Sequence, residues 1–479
     1  MALISNHEGS SKKVRKILNN EDRISILSDS LLVHVLSFLP TKYAVGTSIL
    51  SSRWKHLWAS VPTLDFNDNL RFKDIPYSYE NSSNFMNFVD RVLLHHDLSY
   101  VQKFRLSCEG SKVDVSRMYT WISVAVTRGV QELDLQIGPP GFDLPERLYS
   151  FPLSLFTCPT LVVLKLGILV RFSVPCSVHF KSLKVLHLSV WLMGNDLMKN
   201  LFCNCPVLEE LFIQAMVSCE EEAALGVILD VSTSSLTSFK MMGKKLCSMH
   251  QFSSLKDDYL SYYVLNNLTS LVKADVNIGE CCIQTMEIEE RSDSVFEVLK
   301  QISSVKYLSL GASTMGVLDY AKEYNVPRFP NLIRLELHVN TCYGWKRLLD
   351  LLNSMPNLLY LVLEKSKNCS SRRHVSFVEQ EVVPSCLVMH LQEIKINGFQ
   401  GLSDELKLIE YFLRNSKVLR KMEINNFNAE EKQEREFLDK LLMFPRGSMT
   451  CKILITGRKI LLQPRHLYHH SWWSSHTRT

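Results

Sequence analysis

The amino-acid sequence predicts a mixed α/β fold: a short all-helical unit at residues 22–60, then an irregular solenoid whose short strands form one parallel, horseshoe-like sheet. Two observations predict it. The first is a phrase that recurs twelve times between residues 101 and 424: an apolar residue, two variable ones, an apolar residue, a variable one and a third apolar residue. From residue 161 to residue 358 the mean step between copies is about 28 residues, a period that belongs to strand-plus-helix repeats. The second is the spacing of apolar residues in the N-terminal stretch and between the phrases, which follows the helical period and not the alternation of a strand.

Composition sets the broad class. The 479 residues are 46% hydrophobic and 22% charged, ordinary values for a globular protein. A net charge of +5 over this length makes no case for nucleic acid or an anionic membrane. No apolar run approaches the roughly 18 residues of a membrane-crossing helix, and residues 1–16 lack the apolar core of a signal peptide. A cytoplasmic or nuclear location is therefore expected. Thirteen cysteines, odd in number and scattered, read as reduced thiols and not as a disulfide framework. Residues 1–21, with Lys12, Lys13, Arg15 and Lys16 close together, read as a disordered basic tail, with a nuclear-import signal as the alternative.

The helical unit reads DRISILSDSLLVHVLSFLPTKYAVGTSILSSRWKHLW at residues 22–58. Three short helical patterns are broken at Pro40 and near Thr47. Leu31, Val35 and Leu39 recur at helical spacing with Leu32 and Leu36 beside them, a wide apolar stripe. Ser28 is placed to cap the first helix, with Asp29 at its positive end, and Thr41 to cap the second. Trp54 and Trp58, four apart, fall on one face of the third. So small a unit cannot bury all these side chains on itself, and the surplus predicts a partner-binding face.

This stretch resembles the F-box of plant proteins. Asp22, Arg23, Ile24, Leu27, Asp29, Leu31, Leu32, Leu36, Leu39, Pro40, Thr41, Lys42, Ala44, Val45, Leu50, Ser51, Arg53, Trp54, Leu57 and Trp58 match its wording. The resemblance implies docking onto the small Skp-type linker of a ubiquitin ligase, and through it onto cullin and RING subunits. The residues expected to bind the linker are Leu27, Leu31, Leu32, Leu36, Leu39, Pro40, Val45, Leu50, Trp54, Leu57 and Trp58. Ser28 stands where the family has proline and Tyr43 where it has an acidic residue. Ser28 keeps a cap but loses rigidity, which predicts a somewhat weaker hold on the linker.

Residues 61–97 read as a linker carrying a helix, with Phe85, Phe88, Val89, Val92 and Leu93 on one stripe. The repeats follow at 98–381. Clear copies are VQELDL at 130–135, LKVLHL at 183–188, LIRLEL at 332–337 and LLYLVL at 358–363. The second and third apolar residues of each phrase should point into the core, with the residues flanking the second on the opposite face of the sheet, the concave face of the horseshoe and the outer face with respect to the core. Pro159, Pro206, Pro330 and Pro356 recur at one phase ahead of the strands. Helices are expected at 195–203 and 343–354, the second on Trp345, Leu348, Leu349 and Leu352. No single unit buries its own apolar face, so stacked neighbours must complete the core. The uneven steps resemble the degenerate leucine-rich repeats of plant F-box proteins.

Residues 382–424 resemble the FBD region of the same proteins through Pro384, Cys386, Leu387, Leu391, Gly398, Phe399, Gly401, Glu405, Phe412, Leu413, Asn415, Leu419 and Met422. Phe444, Pro445, Arg446, Ser448 and Cys451 close the signature. Read physically, 382–457 continues the solenoid, with Leu406, Ile409, Phe412 and Leu413 as a helix stripe, a further helix near 429–443 and a last strand at 452–457. Such a cap would cover an otherwise open sheet edge. The tail, 458–479, holds His466, His469, His470, His476, Trp472 and Trp473 and is unassigned.

No phosphate loop, nucleophile elbow, zinc-protease helix or paired cysteine motif occurs, so no enzyme activity, metal or cofactor is expected. Cys203 with Cys205 and Cys281 with Cys282 lack companion ligands at zinc spacing. An adaptor needs no catalytic residue, since it acts by bringing a target near the conjugating enzyme. Strand parity puts the target-binding candidates on the outer face: Phe212, Tyr307, Arg334, Glu336, Tyr360 and Val362. The chain thus reads as the target-recognition adaptor of a Skp–cullin–F-box ligase. The alternative is a repeat scaffold with a residual F-box. A hormone receptor is a third reading, which the spread of Lys165, Lys240, Lys273 and Arg334 over many repeats supports poorly.

Overall fold

The computed structural model of the chain describes residues 23–68, 79–97, 100–108, 114–137, 151–168, 174–191, 201–218, 229–232, 234–246, 263–266, 268–278, 288–321, 326–339, 345–365, 377–399, 401–425, 431–456 and 460–462. The basic N-terminal residues, the Cys281–Cys282 pair, most of the helix expected at 195–203 and the His/Trp-rich tail lie outside them.

The N-terminal unit opens with helix α1, Asp29–Leu36. Ser28 caps it as the sequence predicts: its backbone is extended and its Oγ accepts the Leu31 amide at 3.4 Å. Arg53 holds the same corner. Its guanidinium pairs with Asp29 at 2.7 Å and donates to the Ser25 carbonyl at 2.7 Å and to the Leu27 carbonyl. Helix α2, Thr41–Gly46, follows Pro40. Thr41 does not cap it. Its hydroxyl accepts the Asp65 amide at 2.7 Å instead and ties the unit to the first strand. The third helix expected over Trp54 and Trp58 is absent. Residues 52–56 are turns and Leu57–Ser60 is a 3-10 helix. Tight bonds replace the α-helical ladder there: the Trp54 amide donates to the Ser51 carbonyl, and the Trp58 indole to the Lys55 carbonyl at 3.1 Å.

Leu32, Leu36, Ala44, Leu57 and Val61 form a small core of their own, with Leu27, Val33, Trp54 and Trp58 against it. Trp58 also touches the main core, as does Val45. The junction is pinned by the Asp97 amide on the Ala59 carbonyl at 2.7 Å and by His96 Nε2 on the Val61 carbonyl at 2.8 Å. Burial holds His96 below the usual histidine range, so the imidazole is neutral and donates through Nε2.

One sheet carries the rest. In chain order its strands are β1 Thr63–Asn67, β2 Lys103–Cys108, β3 Glu132–Ile137, β4 Val163–Ile168, β5 Val185–Trp191 and β6 Glu210–Ser218. A pair β7 Leu229–Ser232 and β9 Tyr263–Asn266 stands apart as a second, two-stranded sheet. The main sheet continues as β8 Ser238–Leu246, β10 Lys273–Asn277, β11 Tyr307–Leu310, β12 Arg334–Val339, β13 Tyr360–Lys365, β14 Glu393–Asn397, β15 Lys421–Asn425 and β16 Lys452–Thr456. Each pairs in parallel with the strand before it, and β17, Ile460–Leu462, adds on antiparallel to β16. A strand thus occupies part of the tail left unassigned by the sequence. The sheet also begins before the first predicted repeat, at β1.

The phrase explains this order. Its three apolar residues are all buried, as at Leu332, Leu335 and Leu337. Its second residue supplies the seam: the Lys306 carbonyl accepts the amides of Ile333 and Arg334, and the Ile333 carbonyl those of Leu359 and Tyr360. The same bifurcated step recurs from Pro62, which accepts Gln102 and Lys103, to Gln392, which accepts Arg420 and Lys421. Helices fill the other side. Helix α3, Tyr79–His95, buries Phe85, Val89, Val92 and Leu93 as predicted. Helix α4, Val115–Thr127, locks to it by the Trp121 indole on Asp90 at 2.7 Å. Leu348–Asn353 is helical, with Trp345, Leu348, Leu349 and Leu352 buried.

After β13 come the helix Ser385–Met389, β14, the helix Ser403–Asn415, β15, the helix Glu431–Met443 and β16. Gly447 lies hard against the end of the helix Ser403–Asn415. Its amide donates to the Leu413 carbonyl at 2.7 Å, and a Cβ there would stand 2.5 Å from the Arg414 carbonyl oxygen. Gly447→Ala should therefore lower stability by about 1–3 kcal/mol. A melting curve superimposable on that of the parent would show that the gap opens without cost.

Candidate interaction surfaces

Two surfaces present side chains that the cores do not use. On the N-terminal unit, helix α1 divides its stripe in two. Leu32 and Leu36 face inward at 0% and 1% exposure, while Leu31 and Val35, one residue earlier, stand half exposed. Turning about 100° per residue, a helix offers two such adjacent rows, and only the fold decides which is inside. Phe38, Leu39, Tyr43, Ile49 and Leu50, beyond this helix, are exposed as well, Phe38 at 75% and Ile49 at 88% exposure. Phe38 is held in place by an edge-on contact with His34, ring centroids 5.0 Å apart.

Of the residues expected to bind a linker, Leu31, Leu39 and Leu50 are thus exposed and Leu27, Pro40, Val45, Trp54 and Trp58 half buried. Leu32, Leu36 and Leu57 are core residues, which corrects their placement on the outer face: they support it from behind. Val35, Phe38, Tyr43 and Ile49 belong to the exposed set and are not among the residues expected to bind the linker. Phe38 lies one turn beyond Val35 and two beyond Leu31, the spacing that could have found it.

The second surface is the outer face of the sheet. Parity holds: Tyr307 and Arg334 are exposed and Glu336 half buried, while Leu308, Leu335 and Leu361 between them are buried. The register places Lys273, Tyr307, Arg334, Tyr360 and Glu393 side by side in one row across β10 to β14. The next row reads Asp275, Ser309, Glu336, Val362 and Lys395. Five of the six target-binding candidates are thereby brought together.

Two of those candidates differ in detail from expectation. Val362 is 5% exposed and is no anchor. Its registered neighbours on the face are Glu336 and Lys395, both longer than valine. Phe212 is half buried and lies on β6, with β8 and β10 between it and Tyr307, about 14 Å along the sheet. It is wedged between the His187 ring, 5.5 Å away, and the Lys240 ammonium, 5.9 Å away.

The charges of the face are largely paired along the rows. Arg105 lies between Asp65 and Asp134, Lys103 and Lys165 both reach Glu132, and Lys240 meets Asp275 at 2.7 Å. Glu336 accepts from His338, which holds that carboxyl below its usual range and raises the imidazole. Arg334 is less engaged. Its nearest carboxylate, Glu336, is 4.0 Å away, too far for a hydrogen bond.

Comparison with known sequences bears on both surfaces. Residues 24–66 match the F-box domain family, residues 118–255 the LRR repeats of an FBD-associated F-box protein, and residues 379–424 the FBD family. The chain is 32% identical over 458 residues to an F-box/FBD/LRR-repeat protein of Arabidopsis thaliana, covering 91% of this chain and 96% of the relative. A second F-box/FBD/LRR-repeat protein of that plant is 32% identical over 463 residues, 91% of this chain and 99% of its own length. An FBD-associated F-box protein of the same plant is 31% identical over 468 residues, 91% and 94% of the two chains.

Proposed function

Because this chain belongs to the F-box/FBD/LRR-repeat family of plant proteins, we propose that it is a non-catalytic adaptor that recruits a target protein to a Skp–cullin–F-box ubiquitin ligase. Its F-box docks on the Skp-type linker, which joins it to the cullin and RING subunits. Its repeats, a solenoid closed by the FBD region, hold the target for ubiquitination. The observation that carries the reading is the exposed set Leu31, Val35, Phe38, Leu39, Ile49 and Leu50 on a unit whose core, Leu32, Leu36, Ala44, Leu57 and Val61, is already complete without it. So many exposed apolar side chains on one small unit fit a protein interface. Ser28, the departure that keeps a residual F-box in view, is offset by Arg53, whose contacts to Asp29, Ser25 and Leu27 fix the start of α1.

The test is titration of purified Skp-type linker against the full chain. Phe38→Ala with Leu39→Ala should weaken binding by well over about tenfold, since truncated anchors cost up to a few kcal/mol each. Folding, followed by circular dichroism, should be unchanged. Linker binding equal to the parent's would remove the support for this docking face. A folded parent chain that does not bind the linker would make the residual-F-box scaffold the better account.

A further inference from the structure

We propose that the row Lys273–Tyr307–Arg334–Tyr360 is the docking site for an acidic, tyrosine-bearing segment of the target protein, a reading that rests on the repeats being the target-binding part of an adaptor. The register alternates cation and aromatic on four adjacent strands, β10 to β13. Parallel strands stand about 4.8 Å apart, so Arg334 has a tyrosine on the adjacent strand to either side.

These groups stand out from the rest of the face because they are unspent. Lys273 forms no ion pair among the described residues and feels Glu336 only through space, and the Tyr307 and Tyr360 hydroxyls have no hydrogen-bond partner there. Arg334 has only the long contact to Glu336, and Glu336 is committed to His338. The row therefore offers hydrogen-bond donors and positive charge without an acceptor to match. A carboxylate fits the guanidinium fork in a bidentate pair. An aromatic ring on the same segment fits over the Arg334 plane or against a tyrosine edge.

The acidic neighbours give direction. Glu393 follows Tyr360 in the same row, and Asp275 and Glu336 lie in the next. Asp275 and Glu336 are already paired with Lys240 and His338, so a carboxylate is favoured between Lys273 and Arg334, whereas Glu393 repels it beyond Tyr360. A stretch of acid alone is thus poorly matched, whereas acid interleaved with tyrosine is well matched.

The experiment uses the full chain and three labelled polymers: a random copolymer of glutamate and tyrosine, polyglutamate, and inorganic polyphosphate. Binding is read by fluorescence anisotropy at about 0.15 M salt, where distant charges are screened. The copolymer should bind the parent at least about tenfold more tightly than the other two. Arg334→Glu should weaken the copolymer by about tenfold or more, and Tyr307→Ala with Tyr360→Ala by several fold. Lys184→Glu, at an exposed cation paired with Glu209 on a distant strand, should leave it within about twofold. Equal binding of all three polymers, or copolymer binding by Arg334→Glu within about twofold of the parent, would overturn the proposal. Linker titration on the same preparations separates the two readings. A chain that binds linker but not copolymer sinks only this site, and one that binds copolymer but not linker sinks only the ligase role.

Discussion

Glu405→Ala should destabilise the protein by about 3–5 kcal/mol, the cost of stripping one partner from a buried ion pair. Lys365, at the end of β13, and Glu405, in the first turn of the helix Ser403–Asn415, meet at 2.5 Å with side chains 5% and 3% exposed. Glu405 has a second duty. Its other carboxylate oxygen accepts the Leu402 amide at 3.0 Å, so it also caps its own helix. The truncation leaves an ammonium in the core and an amide without an acceptor. Lys365→Met with Glu405→Leu removes both charges and should recover most of the loss, since well-packed apolar replacements of buried pairs are often neutral. Denaturant midpoints of the parent, the single variant and the double variant check this. If Glu405→Ala unfolds with the parent, the pair does not hold β13 to the helix Ser403–Asn415.

Leu335→Ala should cost about 2–5 kcal/mol, whereas Glu336→Ala, the next residue along the strand, should cost far less. Leu335 is fully buried and registers with Leu308 on one side and Leu361 on the other. A cavity there is lined from three strands at once and cannot close by moving one of them. Glu336 loses a partly solvated contact to His338, 3.5 Å away, which is worth little. The loss at Leu335 should stay local, as stacked repeats transmit damage mainly to their neighbours. Hydrogen exchange should quicken in β11 to β13 and not in β2 to β4. Uniform quickening, or equal melting of the two variants, would count against the parity of the strand.

Much of this architecture is legible in the sequence because one rule, repeated, fixes it. Every phrase buries its apolar positions and presents the residues between them, so Tyr307, Arg334 and Glu336 could be placed on the outer face from spacing alone. The first copy escapes the eye. VPTLDF at 61–66 carries proline at the position whose amide normally bonds to the repeat before. Pro62 is tolerated because β1 is the first strand and has no preceding carbonyl to satisfy, while its own carbonyl serves Gln102 and Lys103. Helix α1 shows a different limit. Two apolar rows one residue apart are equivalent to any periodicity, so Leu32 and Leu36 could not be told from Leu31 and Val35 until a core formed against one of them. Nor does strand parity say that a short side chain such as Val362 sinks between longer neighbours.

The Lys365–Glu405 pair also sets an order of events as the chain is made. Its members are 40 residues apart, so the lysine leaves the ribosome first. At about 5–20 residues per second, the ammonium waits roughly 2–8 s for its counter-charge. Until then the β13 end of the sheet cannot close without burying a lone cation. The repeats synthesised earlier can stack as they emerge, but the last one should stay open or bury a lysine stripped of its proton. A transcript that stops between the repeats and the FBD region would fix the protein in that unfinished state, with a sheet end that chaperones and proteases can find.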